Sequence, residues 1–193
     1  GVYASIAWDP DGAGPLPERL VIGGQFTAAG GVTVNNIAQW DGLLWTPLDT
    51  GVAGVVYALH VHGGELFVGG QITSAGGVPV NGIARWNGNS WSPLGTGVSG
   101  GTVPGVRALT TYDGELIVGG NFTDAGGVAA NNVARWNGTS WLALGDGTSS
   151  RVNALAVHAG ELIAGGTFPT AGSVTVNGIA RWNGTSWGAL AGG

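Results

Sequence analysis

One phrase is written four times along this chain: NNIAQWDGLLW from Asn35, NGIARWNGNSW from Asn81, NNVARWNGTSW from Asn131 and NGIARWNGTSW from Asn177. Its first tryptophan falls at Trp40, Trp86, Trp136 and Trp182, and a glycine pair precedes it at Gly23-Gly24, Gly69-Gly70, Gly119-Gly120 and Gly165-Gly166. Both series step by 46, 50 and 46 residues. A unit of that length is one supersecondary element that cannot bury its own apolar faces, so neighbouring units must stack. The copies fill the chain as a single repeat domain over 1–193, with divisions at about 1–50, 51–100, 101–148 and 149–193.

Each copy reads as four short strands, a to d. In the second copy VYALHVH (Val56 to His62) is rich in β-branched and aromatic residues. Gly63-Gly64, a two-residue hairpin signal, leads to ELFVGG. The loop QITSAGGVPV leads to NGIARW, and NGNS turns the chain into WSPLG. Glycine interrupts every candidate helix. Leu66-Phe67-Val68 in strand b is apolar on both faces, as in a strand covered from both sides. Strand d carries Pro47 and Pro93, which places it on an outer edge because proline cannot donate to a ladder. Strand a carries a small residue in every copy, at Ala4, Ala58, Ala108 and Ala154, which suits the crowded centre of a ring. The expected fold is all-β: a β-propeller of four-stranded antiparallel blades, four per chain. A β-solenoid is the alternative, although its repeats are usually much shorter.

The stretches GGQFTAAGG…NNIAQWDG and GGNFTDAGG…NNVARWNGTSW…LG resemble repeats of large planctomycete-type bacterial surface or secreted proteins. They also resemble the kelch-like propeller repeats of fungal cortical polarity-marker proteins. The likeness runs through all four copies. It implies the propeller fold and a location outside a bacterial cell or at its surface, and it carries over no functional residue. The first copy departs from the pattern, with its a–b turn expanded to DPDGAGPLPE (Asp9 to Glu18).

Composition excludes several partners. The 40 glycines accompany 44% hydrophobic residues, a level too apolar for disorder, so the glycines serve turns. Only 9% of residues are charged, lysine is absent and the net charge is −5, which leaves no basic footprint for nucleic acid or an anionic membrane. Without cysteine there is neither a disulfide nor a thiolate ligand or nucleophile. No apolar run is long enough for a membrane helix and no signal peptide is visible. The chain has no methionine, even at position 1, and is expected to be a processed form or a segment of a longer protein.

The copies serve as their own comparison. Asn35, Asn81, Asn131 and Asn177 share one slot, where an asparagine is expected to bond backbone and close the preceding loop; a ligand-binding ring of asparagines is the sharper reading. The next slot alternates as Asn36, Gly82, Asn132, Gly178, and His62 and His158 fall in copies two and four, which points to a duplicated two-copy unit. Arg85, Arg135 and Arg181 share a slot, as do Glu65, Glu115 and Glu161, while copy one has Gln39 and Arg19 there. Present together three times and absent together once, they are expected to pair, between strands b and c or between adjacent blades.

Two tryptophans per copy flank the c–d turn. They are expected to pack blade on blade, each burying on the order of 200 Å². In the alternative reading, Trp45, Trp91, Trp141 and Trp187 form a lectin-like sugar platform. His60 and His62 share one strand face without a recurrent third ligand. Asp9-Pro10-Asp11-Gly12 has the opening of a calcium loop without its later oxygen ligands. Asn121, Asn137 and Asn183 match the glycosylation sequon. No GxSxG elbow or recognisable carboxylate pair is present, so no catalytic residue, metal or cofactor is expected. The chain begins with strand a and ends with strand d, which leaves no shared blade to lock a ring. The expected partner is therefore a second copy, two chains closing eight blades, with a closed four-bladed monomer as the alternative. The expected role is a non-enzymatic structural and self-assembling module, with carbohydrate binding as the alternative.

Overall fold

The computed structural model describes residues 1–12 and 14–190; Ala13 of the expanded turn and the last three positions of the fourth copy lie outside them. Every element among the described residues is a strand, and the strands pair antiparallel. Each copy forms a sheet in the order a–b–c–d. The strands are Val2–Trp8, Arg19–Gly24, Ile37–Trp40 and Trp45–Pro47 in copy 1, and Val52–His62, Glu65–Ala75, Ile83–Trp86 and Trp91–Pro93 in copy 2. Copy 3 uses Gly105–Tyr112, Glu115–Asn121, Val133–Trp136 and Trp141–Ala143, and copy 4 uses Val152–His158, Glu161–Gly166, Ile179–Trp182 and Trp187–Ala189. No sheet among the described residues closes on itself.

The chain divides into two compact units, Gly1–Gly97 and the part from Val98 onward, two copies in each. The division falls slightly before the one the repeat spacing suggests. Val98 and Ser99 belong with copy 3 because they pair with Ala125 and Asp124 of that copy.

Local chemistry sets these sheets. Three of the a–b turns are two-residue hairpins with both central residues at positive φ: Gly63-Gly64, Asp113-Gly114 and Ala159-Gly160. That geometry matches the right-handed twist of the flanking strands. The stretch read from sequence as a plain b–c loop holds a short ribbon, such as Ala28–Ala29 against Val32–Thr33, turned at Gly30-Gly31. Strand a carries an irregularity opposite each glycine pair, between Val2 and Ala4, Val56 and Ala58, Val106 and Ala108, and Val152 and Ala154. The second glycine of the pair is obligatory there: a Cβ on Gly24, Gly70, Gly120 or Gly166 would strike the carbonyl oxygen of Gly1, Val55, Gly105 or Arg151.

Strand b is buried on both faces in copies 2 and 3 and more open in copies 1 and 4. Leu66, Phe67 and Val68 are all at most 3% exposed, so both of its faces are covered. Pro47 and Pro93 sit in strand d, at the edge of the sheet, opposite Ala38 and Ala84. The small residue of strand a is buried only at Ala58 and Ala108; Ala4 is partly exposed and Ala154 exposed.

The left-handed Ala159 is strained relative to its counterpart Gly63. An alanine there costs about 1–2 kcal/mol, partly offset by the extra unfolded-state entropy of glycine. Ala159→Gly is expected to raise the unfolding free energy by about 0.5–1 kcal/mol in urea titration. A loss of stability would contradict the strain.

Candidate functional site

Within each unit the first copy packs one face of its sheet, the front, against the opposite face, the rear, of the second copy. Within the first unit, Trp8, Val21, Ile37 and Leu48 on the front of copy 1 join Leu66, Val68, Ala84, Trp86 and Trp91 on the rear of copy 2 in one buried cluster. Within the second unit, Ile117, Val133 and Leu144 of copy 3 meet Leu162, Ala164, Ala180, Trp182 and Trp187 of copy 4 in the same way. Full burial of a leucine contributes about 1.5–3 kcal/mol, so these seams dominate the energetics of the repeat.

Three contacts set the register of a seam. First, a Cβ on Gly23 or Gly119 would collide with the side chain of Val56 or Val152, so the leading glycine of the pair is a notch for the next copy's valine. Second, the second tryptophan of the phrase donates its indole N–H across the seam: Trp91 Nε1 to the Leu48 carbonyl at 3.4 Å and Trp187 Nε1 to the Leu144 carbonyl at 2.9 Å. Third, the last residue of strand a reaches over the next copy. Trp8, only 1% exposed, donates Nε1 to the Gly64 carbonyl at 3.0 Å, and the Tyr112 hydroxyl lies against Gly184. Trp8 is absent from the sequence reading because it stands outside the repeated phrase. Its signal is the aromatic or imidazole ring that ends strand a in every copy: Trp8, His62, Tyr112, His158.

The remaining sequence candidates fall around this seam. Trp91, Trp141 and Trp187 are 4–6% exposed and packed against the first tryptophan of their own phrase at ring distances of 5.1–5.4 Å. A sugar platform needs an open ring face, and these three present none. Copy 1 differs: Trp40 is 36% exposed and stacks on Trp45 at 6.3 Å.

The acidic and basic slots pair within a copy, across strands b and c. Arg85 meets Glu65 at 3.2 Å, Arg135 meets Glu115 at 3.0 Å and Arg181 meets Glu161 at 2.9 Å. The side chains are partly open to solvent, so each pair contributes about 0–1 kcal/mol, well below the apolar seam. In copy 1, Arg19 Nε and Gln39 Oε1 are buried atoms without a hydrogen-bond partner.

The asparagine slot requires a correction. Asn81 Nδ2 donates to the Thr96 carbonyl at 2.8 Å and Asn131 Nδ2 to the Asp146 carbonyl at 3.0 Å, both downstream of strand d, not in the preceding loop. The c–d hairpin brings the chain leaving strand d back beside the entry to strand c. The Asn35 carbonyl accepts from Val52 N at 2.9 Å there. The corresponding partner position for Asn177 lies outside the described residues.

The alternating slot has a conformational cause. Asn36, Gly82, Asn132 and Gly178 all have positive φ, between 61° and 78°. Asn36 Nδ2 donates to the Val52 carbonyl at 2.9 Å and Asn132 Nδ2 to the Thr148 carbonyl at 2.7 Å. Thr148 bridges to Ala171 of copy 4 and so belongs with that copy in the structure. The asparagine copies are the first of each unit, and the side chain ties each to the copy that follows it in the same unit. The duplication seen in the sequence coincides with the two compact units.

No group of three or more histidine, aspartate or glutamate side chains among the described residues is placed to hold a metal. Asp9 Oδ1 accepts from Asp11 N and Asp11 Oδ2 from Leu16 N, so both carboxylates organise their own turn. Asn87, Asn137 and Asn183 cap the c–d turns, each Oδ1 accepting two backbone N–H groups. Asp41 does the same in copy 1, and the N–H groups of Leu44 and Leu43 hold its carboxyl below the usual value. Half-buried His60 is held below its ordinary value, first by desolvation and then by the charge of His62.

Two predictions follow from this geometry. Asn132→Ala loses a buried hydrogen bond and leaves an alanine at positive φ, for an expected cost of about 2 kcal/mol, whereas Asn132→Gly loses only the bond, about 1 kcal/mol. Urea unfolding checks the order of the two. For His60, the unfolded chain binds a proton that the folded chain resists, so stability is complete above a pH of about 6.5 and falls as pH drops below it. His60→Gln is expected to flatten the decline of unfolding free energy between about pH 7 and pH 5, and an unchanged slope would remove His60 as its source.

Comparison with known proteins adds one likeness. Residues 113–138, from the a–b turn of copy 3 to its c–d turn, match the family model described as Domain of unknown function (DUF5122) beta-propeller. No curated protein matches the chain. The likeness supports a propeller-type repeat and names no activity.

Proposed function

We propose that the chain is a non-enzymatic β-propeller repeat module, its four sheets acting as blades, with a structural and interaction role exercised through self-association. Two chains close an eight-bladed ring. The observation that carries this reading is the contrast between terminal and internal repeat faces. Leu66, Leu116 and Leu162 are fully buried, and Trp86, Trp136 and Trp182 are 6–8% exposed; in copy 1 the same slots, Leu20 and Trp40, are 37% and 36% exposed. On the other side, Val21, Phe67 and Ile117 are at most 3% exposed, while Ile163 in copy 4 is more open and Ala156 and His158 beside it are exposed. Each of these faces is apolar and built to receive a neighbouring sheet. The propeller-family likeness supports the repeat-module part of this reading. A carbohydrate platform has less support, because three of its four tryptophans are buried.

Light scattering at several concentrations tests the proposal. The expected mass is twice the 19.1 kDa of one chain, with dissociation on dilution. A concentration-independent mass of one chain overturns it. A glycan array is expected to show no binding, and a reproducible glycan signal would favour the lectin reading.

A further inference from the structure

Resting on that self-association, we propose a defined joint: the rear face of copy 1 in one chain seats on the front face of copy 4 in a second chain, in the register of the seams within each unit. The argument is one of matching parts. Gly23 and Gly119 are notches filled by Val56 and Val152, whereas among the described residues a Cβ on Gly165 would meet only Ala154, on the adjacent strand a of its own sheet, at 3.9 Å. The valine of the first copy, Val2, is 53% exposed with no glycine to sit on. Gly165 is thus an empty notch and Val2 a free knob of the same design.

The other two register contacts are also present as unmatched halves. Trp91 and Trp187 donate to the carbonyls of Leu48 and Leu144 on the copy before them. Trp45 holds the same slot in copy 1, and Leu190 the carbonyl slot in copy 4. In the joint, Trp45 Nε1 donates to the Leu190 carbonyl of the second chain. The exposed His158 takes the place of Trp8 and Tyr112, over the Trp40 end of the partner sheet. Each joint is head to tail, and two such joints close a two-fold pair without leaving a free face.

The absence of cysteine makes the test clean. Two variants are made, Val2→Cys and Gly165→Cys; both sites are solvent-accessible, and Gly165 has no positive φ to strain. Mixed and oxidised, they are expected to give a disulfide-linked pair that neither variant gives alone. The intramolecular Gly23→Cys, Val56→Cys chain serves as the positive control, since a Cβ on Gly23 lies 3.1 Å from the Val56 Cβ. Trp45→Phe is expected to weaken association by about three- to tenfold, the loss of one hydrogen bond.

Outcomes separate the register from the self-association beneath it. A two-chain mass with no cross-link, or a cross-link in Val2→Cys alone, overturns the register and leaves self-association standing. A one-chain mass overturns both. In a third variant, one chain carrying both Val2→Cys and Gly165→Cys, an intramolecular disulfide overturns the joint in favour of one chain closing on itself.

Discussion

The valine that seats on the glycine of the preceding sheet, Val56 on Gly23 and Val152 on Gly119, is the constraint on which the other contacts of each unit depend. It brings two strands close enough that no side chain fits between them at that point. With the backbones so placed, the indole of Trp91 or Trp187 comes within hydrogen-bonding reach of a leucine carbonyl on the neighbouring copy. The leucines of strand b are then sealed from water. A one-carbon addition at the notch would force the sheets apart and expose the tryptophans together with the leucines. The glycine pair divides this labour: its first member admits the next copy, and its second admits the carbonyl of its own strand a.

Polar groups work at a different scale. The glutamate–arginine pairs recur in three copies, yet they are partly solvated and contribute about 0–1 kcal/mol each. Their absence from copy 1 leaves its strand pairing intact. The asparagines act more locally and more specifically. Asn36 and Asn132 supply both a left-handed backbone and a hydrogen bond to the start of the next copy. Gly82 and Gly178 keep the backbone conformation without that side-chain tie. The alternation therefore marks which copies are the first of a pair.

The proposed role rests on surfaces rather than on a reactive cluster. Side chains that could have carried chemistry are occupied with structure: the aspartates of the expanded turn bond their own backbone, the c–d asparagines cap turns, and the paired tryptophans fill seams. What distinguishes copies 1 and 4 from the internal ones is the exposure of slots that are otherwise closed. A repeat that buries its faces only through neighbours carries its own recognition code, and proposing a second copy as partner uses that code without adding to it.

Much of this was legible in the sequence. The period, the Gly-Gly, Asp-Gly and Ala-Gly turns, the edge prolines and the doubly apolar strand b state a four-stranded antiparallel unit because each is a local requirement of backbone geometry. The pairing of glutamate with arginine was legible from their joint appearance, and the two-copy rhythm from Asn36, Gly82, Asn132 and Gly178. Tertiary structure alone decided which side of the sheet each tryptophan faces, that Trp8 belongs to the seam, and that Asn81 and Asn131 bond chain 15 residues downstream. It also decided that copies 1 and 4 keep open faces. The reason is physical: turns and strand pairing are written in neighbouring residues, whereas burial depends on what another copy brings across the gap.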